Sequence, residues 1–551
     1  MERRGFLKAG GLAGLGALAG GGRGLASKLA DSRIEVLLDE PIGDISPRIY
    51  GHFIEHIGGV VYDGVWVGAG SAIPNMRGIR SALVEGLRQI HAPMVRWPGG
   101  CFADSYDWRD GVGPNRPRRT NFWVDEFARS QLKSKAAQIY DPNVFGTDEF
   151  LRFCRLSGTE PYLAANVRSL PALEFDRWVE YCNAPAGSTT LAEERAKNGA
   201  VEPYGVTLWG IGNESWGCGG DFTPQDYASE FRRYTAWVPQ FGLPLEYIAS
   251  GPSSNDLAWT KGFFEKMYSM GDHKIAGWSI HYYAWNLSRG KTTDWVQAKG
   301  DALQFEVVDW YESFQQGCAI EKIIEDQWAA IGEYDEQHEI KLVIDEYGPW
   351  YRKGTEVGPE AILSQQVTLR DALFTAMTLD IFNRHAEKIS MAACAQLINC
   401  INALFLAYED KFVVTPNFHI FDMYAAHQGG RALRTEFSSP SAKYIRDGKA
   451  ASFWGLNGSA SLKSTEKAKR VTLTVVNADA SAPREAEVML RGATVQTASA
   501  RVLSAADLHA HNTFEHSQVA APVTKPVELA GTLLYVTFPA ASVTELTIAL
   551  A

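Results

Sequence analysis

The sequence predicts an α/β protein, a (β/α)8 TIM barrel followed by a C-terminal β-sandwich of jelly-roll-like character. Three observations carry this expectation. From Ile49 onward eight short apolar segments alternate with helical ones, the rhythm of a barrel in which each strand is followed by a helix. From Gly429 to Ala551 the pattern changes to short alternating strands separated by Gly, Pro and Asp turns. The conspicuous polar residues of the first region fall at the C-terminal ends of its apolar segments, where a barrel carries its chemistry. An open, doubly wound sheet would need a Gly-rich phosphate turn after its first strand, and none is there.

Taken in order, residues 1–30 read as a twin-arginine-type signal peptide. Arg3-Arg4 is followed by Phe6-Leu7-Lys8 and a Gly/Ala/Leu run to Gly22, too short and too weakly apolar to span a membrane, and Gly24-Leu25-Ala26 is a small-residue cleavage site. Residues 31–48 contain the apolar strand Ile34–Leu38, free to pair with the β-sandwich. The barrel is expected over residues 49–428, with strands at Ile49–Ile54, Met94–Trp97, Tyr162–Val167, Val206–Ile211, Glu246–Ser250, Gly277–Tyr283, Lys341–Ile344 and Ser390–Leu397. Between them lie helices at Gly78–Ile90, Thr147–Leu156, Pro224–Val238, Asp256–Met270, Ala302–Ile331 and Ala361–His385, with a shorter one through Leu173, Trp178 and Cys182. A helix around Asn417–His427 closes the barrel. The sandwich, residues 429–551, has strands at Val471–Asn477, Glu487–Leu490, Val495–Ser504, Val527–Leu529, Leu533–Phe538 and Val543–Leu550, and the Ser, Gly and Lys-rich Ala450–Lys469 reads as a mobile loop.

Chemistry concentrates at two strand ends. Leu208–Trp216 reads L-W-G-I-G-N-E-S-W, an apolar strand that runs out at Asn213-Glu214. Ile340–Trp350, I-K-L-V-I-D-E-Y-G-P-W, repeats the design with Asp345-Glu346. An ionised group at the rim of a core loses solvation, so a carboxylate there needs a use. A single N-E pair would read as a helix cap; two strands presenting a glutamate at the same end are the raw material of a retaining glycosidase.

The bulk properties agree. The chain of 551 residues, 46% hydrophobic and 21% charged, is long enough for two domains of ordinary globular composition. Its 16 Trp, 21 Tyr and 26 Phe suit both a core and the stacking of sugar rings. A formal net charge of −11 argues against nucleic acid or an anionic membrane as partner. Seven scattered cysteines imply no disulfide framework, and neither a C-x-x-C pair nor a His/Cys cluster points to zinc. No metal or organic cofactor is expected.

The chain resembles the α-L-arabinofuranosidases of glycoside hydrolase family 51. The likeness rests on G-H-F-I-E-H (Gly51–His56), R-W-P-G-G-C-F (Arg96–Phe102), Y-D-W-R-D-G-V-G-P (Tyr106–Pro114), G-I-G-N-E (Gly210–Glu214), H-Y-Y (His281–Tyr283), I-D-E-Y-G-P-W-Y (Ile344–Tyr351), A-Q-L-I-N (Ala395–Asn399) and A-H-N-T-F-E (Ala510–Glu515), eight motifs in order. It implies Glu214 as general acid/base and Glu346 as nucleophile. Strands four and seven face each other across a barrel mouth, so their end residues can approach the separation of about 5–5.5 Å that retention needs. A structural role for Glu346, paired with Arg96 or Lys341, is the competing reading.

The resemblance also implies substrate contacts from Glu55, Cys101, Tyr283 and Gln396. Asn213 is placed to bond the sugar 2-OH. Glu55 could instead pair with an arginine such as Arg96, Tyr283 could be core, and Gln396 could cap a helix. His281 and Arg96 are expected to orient and stabilise the carboxylates, and Trp350 to support the leaving-group side. Two departures stand out: many relatives carry Asn where Cys101 stands, and Tyr347-Gly348-Pro349 replaces the commoner W-N-V. The loop Trp285–Trp295 and the segment Arg109–Phe122 are expected to line the leaving-group side, or else to be packed surface loops.

The expectation is therefore a periplasmic or secreted, retaining, exo-acting α-L-arabinofuranosidase that releases terminal arabinofuranose from plant polysaccharides or oligosaccharides. Family members are often hexamers, which points to a homo-oligomer. The rivals are another retaining glycosidase of the same clan, a β-xylosidase or endo-β-glucanase, and a carbohydrate-binding protein without turnover.

Overall fold

The computed structural model describes residues 30–124, 140–271, 274–358, 362–466 and 468–551. Eight parallel strands close a barrel in chain order: Gly51–Phe53, Met94–Trp97, Glu160–Ala165, Leu208–Ile211, Glu246–Ala249, Gly277–Ala284, Lys341–Pro349 and Ile389–Cys394. The last pairs with the first through Ala393 opposite Gly51 and Cys394 opposite His52. Side chains alternate across each strand. In the second, Val95 and Trp97 join the large core beneath the helices, while Met94 joins a smaller cluster with Phe53, Tyr162, Leu208, Ile248, Val343 and Met391. That ring fills the barrel, so the interior is a packed floor rather than a channel, and chemistry is confined to the rim above it.

Capping chemistry decides where several helices begin. The stretch expected to be helical from Ala361 starts only at Leu369, because Thr368 and Asp371 form a reciprocal cap there. The expected helix Ala302–Ile331 is two, Val307–Cys318 and Ile320–Gly332, meeting at Ala319. The helix expected from Gly78 begins at Ser81, since Gly78, with φ +92°, turns a short hairpin between Asn75–Met76 and Ile79–Arg80.

The C-terminal region is hydrogen-bonded as one ten-stranded sheet. The N-terminal strand Ser32–Asp44 lies inside it, antiparallel to Arg431–Ser438 and parallel to Arg484–Arg491. The sheet curls on itself: Leu533–Phe538 touches Lys469–Asn477 and Ser542–Leu550 although several strands separate them in the ladder, and one core encloses Val36, Leu473, Val488, Leu534 and Ile548. The expected loop Ala450–Lys469 is instead largely strand, Lys449–Phe453 and Leu456–Ser464. Its small and polar residues are internal: Ser459 and Ser461 are buried and bond into the barrel joint, which composition alone does not reveal.

That joint is polar. Asp380, on the helix Leu369–Arg384 that follows the seventh strand, accepts hydrogen bonds from Ser459 Oγ, Thr474 Oγ1 and Tyr424 Oη, at 2.6–2.8 Å. His427 bridges Ser461 and Thr474. The hydrogen-bond partners of Asp380 are neutral hydroxyls; burial pushes it up to about 6 despite them and the nearby charge of Arg384.

Candidate active site

The fourth strand ends in a turn that throws Glu214 over the barrel rim. Gly212 has φ +82° and Glu214 itself φ +42°, a left-handed conformation that a glutamate adopts at a cost of about 1–3 kcal/mol. Surrounding bonds hold it there. Asn213 N–H donates to Asp104 Oδ2 (2.9 Å), Ser215 N–H to Ser250 Oγ (3.1 Å), and the Glu214 carbonyl accepts from Gly217 and Gly219.

The seventh strand presents Glu346 by a different device. Ile280 pairs with Ile344 but His281 with Glu346, so the register slips and Asp345 is the extra residue. Such a bulge re-aims side chains. Asp345 turns to accept from Tyr162 Oη (2.9 Å), and Glu346 faces the cavity.

Between the two glutamates stands His281, its Nδ1 3.0 Å from Glu214 Oε1 and 3.6 Å from Glu346 Oε2. One oxygen of each carboxylate and a His281 ring nitrogen all lie within 4.8 Å of one another. Beneath Glu346, the buried Arg96 donates to Glu346 Oε1 (3.0 Å) and to Asn213 Oδ1 (2.5 Å), its guanidinium stacked over Phe53. Tyr283 Oη donates to Glu346 Oε2 at 2.8 Å.

These contacts set the charges. Burial alone would raise Glu346, but His281, Arg96 and the Tyr283 hydroxyl outweigh it and hold the carboxyl below its ordinary range. Burial lowers His281, and the two glutamates more than reverse that, so its affinity for a proton is raised. Glu346 is thus held ionised, and Glu214 stands on the more open side, its side chain 21% exposed against 8%.

Glu55, after the first strand, accepts from the Phe102 amide (2.9 Å) and from Gln396 Nε2 (3.1 Å). Burial pushes it up to about 8 although both bonds, and Arg96, favour the anion, while Glu346 adds to the rise. The glycine pair of R-W-P-G-G-C-F follows from this crowding. A Cβ on Gly99 would lie 2.7 Å from Glu55 Cγ, and one on Gly100 3.0 Å from Glu346 Oε1.

The cavity enclosed has a volume of about 430 Å3. Glu55, Cys101, Glu214, His281, Tyr283, Glu346, Trp350 and Gln396 all reach its wall. Asn213 and Arg96 do not; they lie behind it, buried and bonded to each other. Trp285 and Trp295 line the wall, whereas the Arg109–Phe122 segment is packed outward, with Arg116 on Glu149 and Arg119 on Asp110.

Cys101 requires a correction. It is not a free thiol but is disulfide-bonded to Cys218, which follows Glu214 by four residues. The two sulfurs lie 3.8 and 3.5 Å from Glu214 Oε2, so the bridge forms a wall beside that carboxyl. The fold brings together two loop cysteines 117 residues apart, which spacing could not disclose.

Asp104 was not anticipated either. Fully buried, it accepts from the backbone N–H of Val167, Arg168 and Asn213, tying the loops after the second, third and fourth strands together. In Ala103-Asp104-Ser105-Tyr106-Asp107 nothing sets it apart from its polar neighbours. Glu214, His281 and Glu346 are also the donors that could meet a metal ion, but Glu346 already accepts from Arg96 and Tyr283. Among the described residues no helix is long and apolar enough to cross a membrane.

Residues 86–299 match the family described as the α-L-arabinofuranosidase 1 domain, and residues 345–542 the α-L-arabinofuranosidase C-terminal domain. An intracellular exo-α-L-arabinofuranosidase of Bacteroides ovatus is 33% identical over 93% of this chain and 95% of its own length. An intracellular exo-α-(1→5)-L-arabinofuranosidase of Acetivibrio thermocellus is 30% identical over 67% of this chain and 70% of its own. The crystal structure of the family 51 arabinofuranosidase from Xanthomonas axonopodis pv. citri superposes with a TM-score of 0.84 at 33% identity, covering 94% of this chain and all of that one, 100%. Both named relatives are intracellular enzymes, which overturns the expected periplasmic or secreted location. The Arg3-Arg4 segment on which that expectation rested lies outside the described residues. With barrel, appended sheet and sequence in agreement along nearly its whole length, the chain belongs to the α-L-arabinofuranosidases of glycoside hydrolase family 51.

Proposed function

We propose that the chain is a retaining, exo-acting α-L-arabinofuranosidase that releases terminal L-arabinofuranose from arabinose-containing plant polysaccharides or oligosaccharides. One observation carries this reading: two strand-end glutamates share one cavity, with their oxygens within 4.8 Å and only one of them neutralised by an arginine. Glu346, ionised against Arg96, attacks the anomeric carbon. Glu214 gives its proton to the departing glycosidic oxygen, and the sugar is left as an ester on Glu346. Glu214, now a carboxylate, takes a proton from water, and the resulting hydroxide displaces Glu346 from the same anomeric carbon with net retention. The two carboxyls exchange charge states at each step, and His281 faces both throughout.

Glu55, Gln396 and Tyr283 hold the furanose hydroxyls. Held neutral, Glu55 offers one O–H donor and one acceptor rather than two acceptors. Trp350 acts on the leaving-group side, Arg96 and His281 position the carboxylates, and Asn213, behind the wall, fixes Arg96 through its Oδ1. The Cys101–Cys218 bridge gives the sugar an apolar flank. A homo-oligomer belongs to the same proposal, on family resemblance alone. The wall of side chains around the cavity favours a terminal sugar over a chain threaded through an open cleft, the need of an endo-enzyme.

Glu346→Ala should abolish turnover of every arabinofuranoside, and azide should restore it, giving the glycosyl azide of inverted configuration. Glu214→Ala should spare the first step for nitrophenyl substrates, whose leaving group needs no proton, and lose several orders of magnitude on natural ones. Full activity in Glu346→Ala, or equal losses on both substrates in Glu214→Ala, would reject the assignment.

A further inference from the structure

Beyond Trp350 the catalytic cavity adjoins a second one, of about 290 Å3, and the two share Trp295, Trp350 and Leu363 as a common wall. On that wall sits Lys299. Its Nζ lies 3.6 Å from the centroid of the Trp295 ring and 4.0 Å from that of Trp350, the two indoles meeting edge to face. The side chain is half-buried, and among the described residues no carboxylate lies within ion-pair distance of it. In a protein with a net charge of −11, Lys299 is thus a cation that no acidic group among the described residues pairs with.

The other charges around this cavity are Arg352, Lys353 and Glu356. Arg352 is committed to Asp301 (2.8 Å). Glu356 accepts the amide of Gly354. Among the described residues Lys299 has indoles rather than a carboxylate against its ammonium, so its charge is left for something else. Its position also decides between two kinds of sugar. A neutral ring would stack on bare indole faces, but here the ammonium caps a face of each indole. What the cavity offers an arriving saccharide at that point is a partly desolvated positive charge.

We propose that this second cavity is a leaving-group subsite for a carboxylate-bearing sugar unit, a uronate, with Lys299 as its specificity-determining residue. The inference rests on the glycosidase reading above, since it takes the adjoining cavity to hold the arabinofuranose. Burial lowers Lys299 to about 7, and a carboxylate brought against it would favour the charged form, so binding and protonation reinforce one another.

The test uses paired oligosaccharides bearing the same terminal arabinofuranose, one with a neutral leaving-group chain and one with a uronate in it. The wild type should favour the uronate substrate in kcat/KM by roughly threefold to tenfold at low salt, the range of a half-buried ion pair, and less as salt rises. Lys299→Met should bring the ratio near one, Lys299→Glu should invert it, and Lys299→Arg should keep it. Binding of both ligands to Glu346→Ala, by calorimetry, reads the subsite without turnover, and unchanged thermal melting shows that the variants fold. An equal ratio in wild type and Lys299→Met, or no difference in affinity, overturns the proposal. A binding preference in Glu346→Ala, together with no cleavage of either substrate by the wild type, would uphold the subsite and reject the glycosidase reading instead.

Discussion

Glu55 shows how far a single residue's charge depends on where the fold puts it. A carboxyl that ionises near its ordinary range in the unfolded chain is pushed up to about 8 in the cavity, chiefly by burial. Between those values the folded protein binds a proton that the unfolded chain does not, so this group's contribution to stability is greatest at low pH and is lost as pH rises toward 8. Glu55→Gln mimics the neutral acid and removes the dependence. The melting temperature of Glu55→Gln relative to wild type should therefore climb steadily from pH 5 to pH 8. The other buried carboxyls, Asp104 and Asp380, are common to both proteins and cancel. A constant or falling difference would mean that Glu55 is ionised in the folded state.

The elements that carry the site owe their shape to close approach. The turn after the second strand passes under two carboxylates, and only glycine leaves room for both. Gly100→Ala would put a methyl 3.0 Å from Glu346 Oε1 and 3.3 Å from Phe53 Cζ, displacing the glutamate from Arg96 and Tyr283. Activity on an aryl arabinofuranoside should fall by about 100-fold, the scale of a 1 Å misplacement at the reacting atoms. Gly70→Ala, with nothing within 4 Å, serves as the reference and should be silent. Equal activities in the two variants would detach the glycine turn from the nucleophile.

At the same scale lies the difference between what could and could not be read in advance. That Glu214 and Glu346 would reach one rim was legible because each interrupts an apolar run at a strand end, a local pattern. The bulge at Asp345 was not, since it depends on which residue of the neighbouring strand pairs with Glu346. Cys101–Cys218, Asp104 and the placement of Asn213 behind the cavity wall are likewise products of loops from different strands meeting. Ala450–Lys469 misled for a related reason: its serines are internal because Asp380 and His427 of the barrel need them. Composition records polarity but not the partner that satisfies it.

At the scale of the whole molecule, a barrel supplies two carboxyls, its rim holds one of them ionised through His281, Arg96 and Tyr283, and a neighbouring cavity reads the leaving group. The assignment of the nucleophile is the central claim. It predicts that Glu214→Ala, given a nitrophenyl arabinofuranoside, forms the glycosyl-enzyme quickly but hydrolyses it slowly, because no base activates water. Acid quenching, proteolysis and mass spectrometry should then find one pentosyl unit on the peptide that contains Glu346, localised to that residue by fragmentation. A pentosyl group on Glu55, Asp345 or any other residue, or a burst of nitrophenol with no adduct at Glu346, would contradict the account.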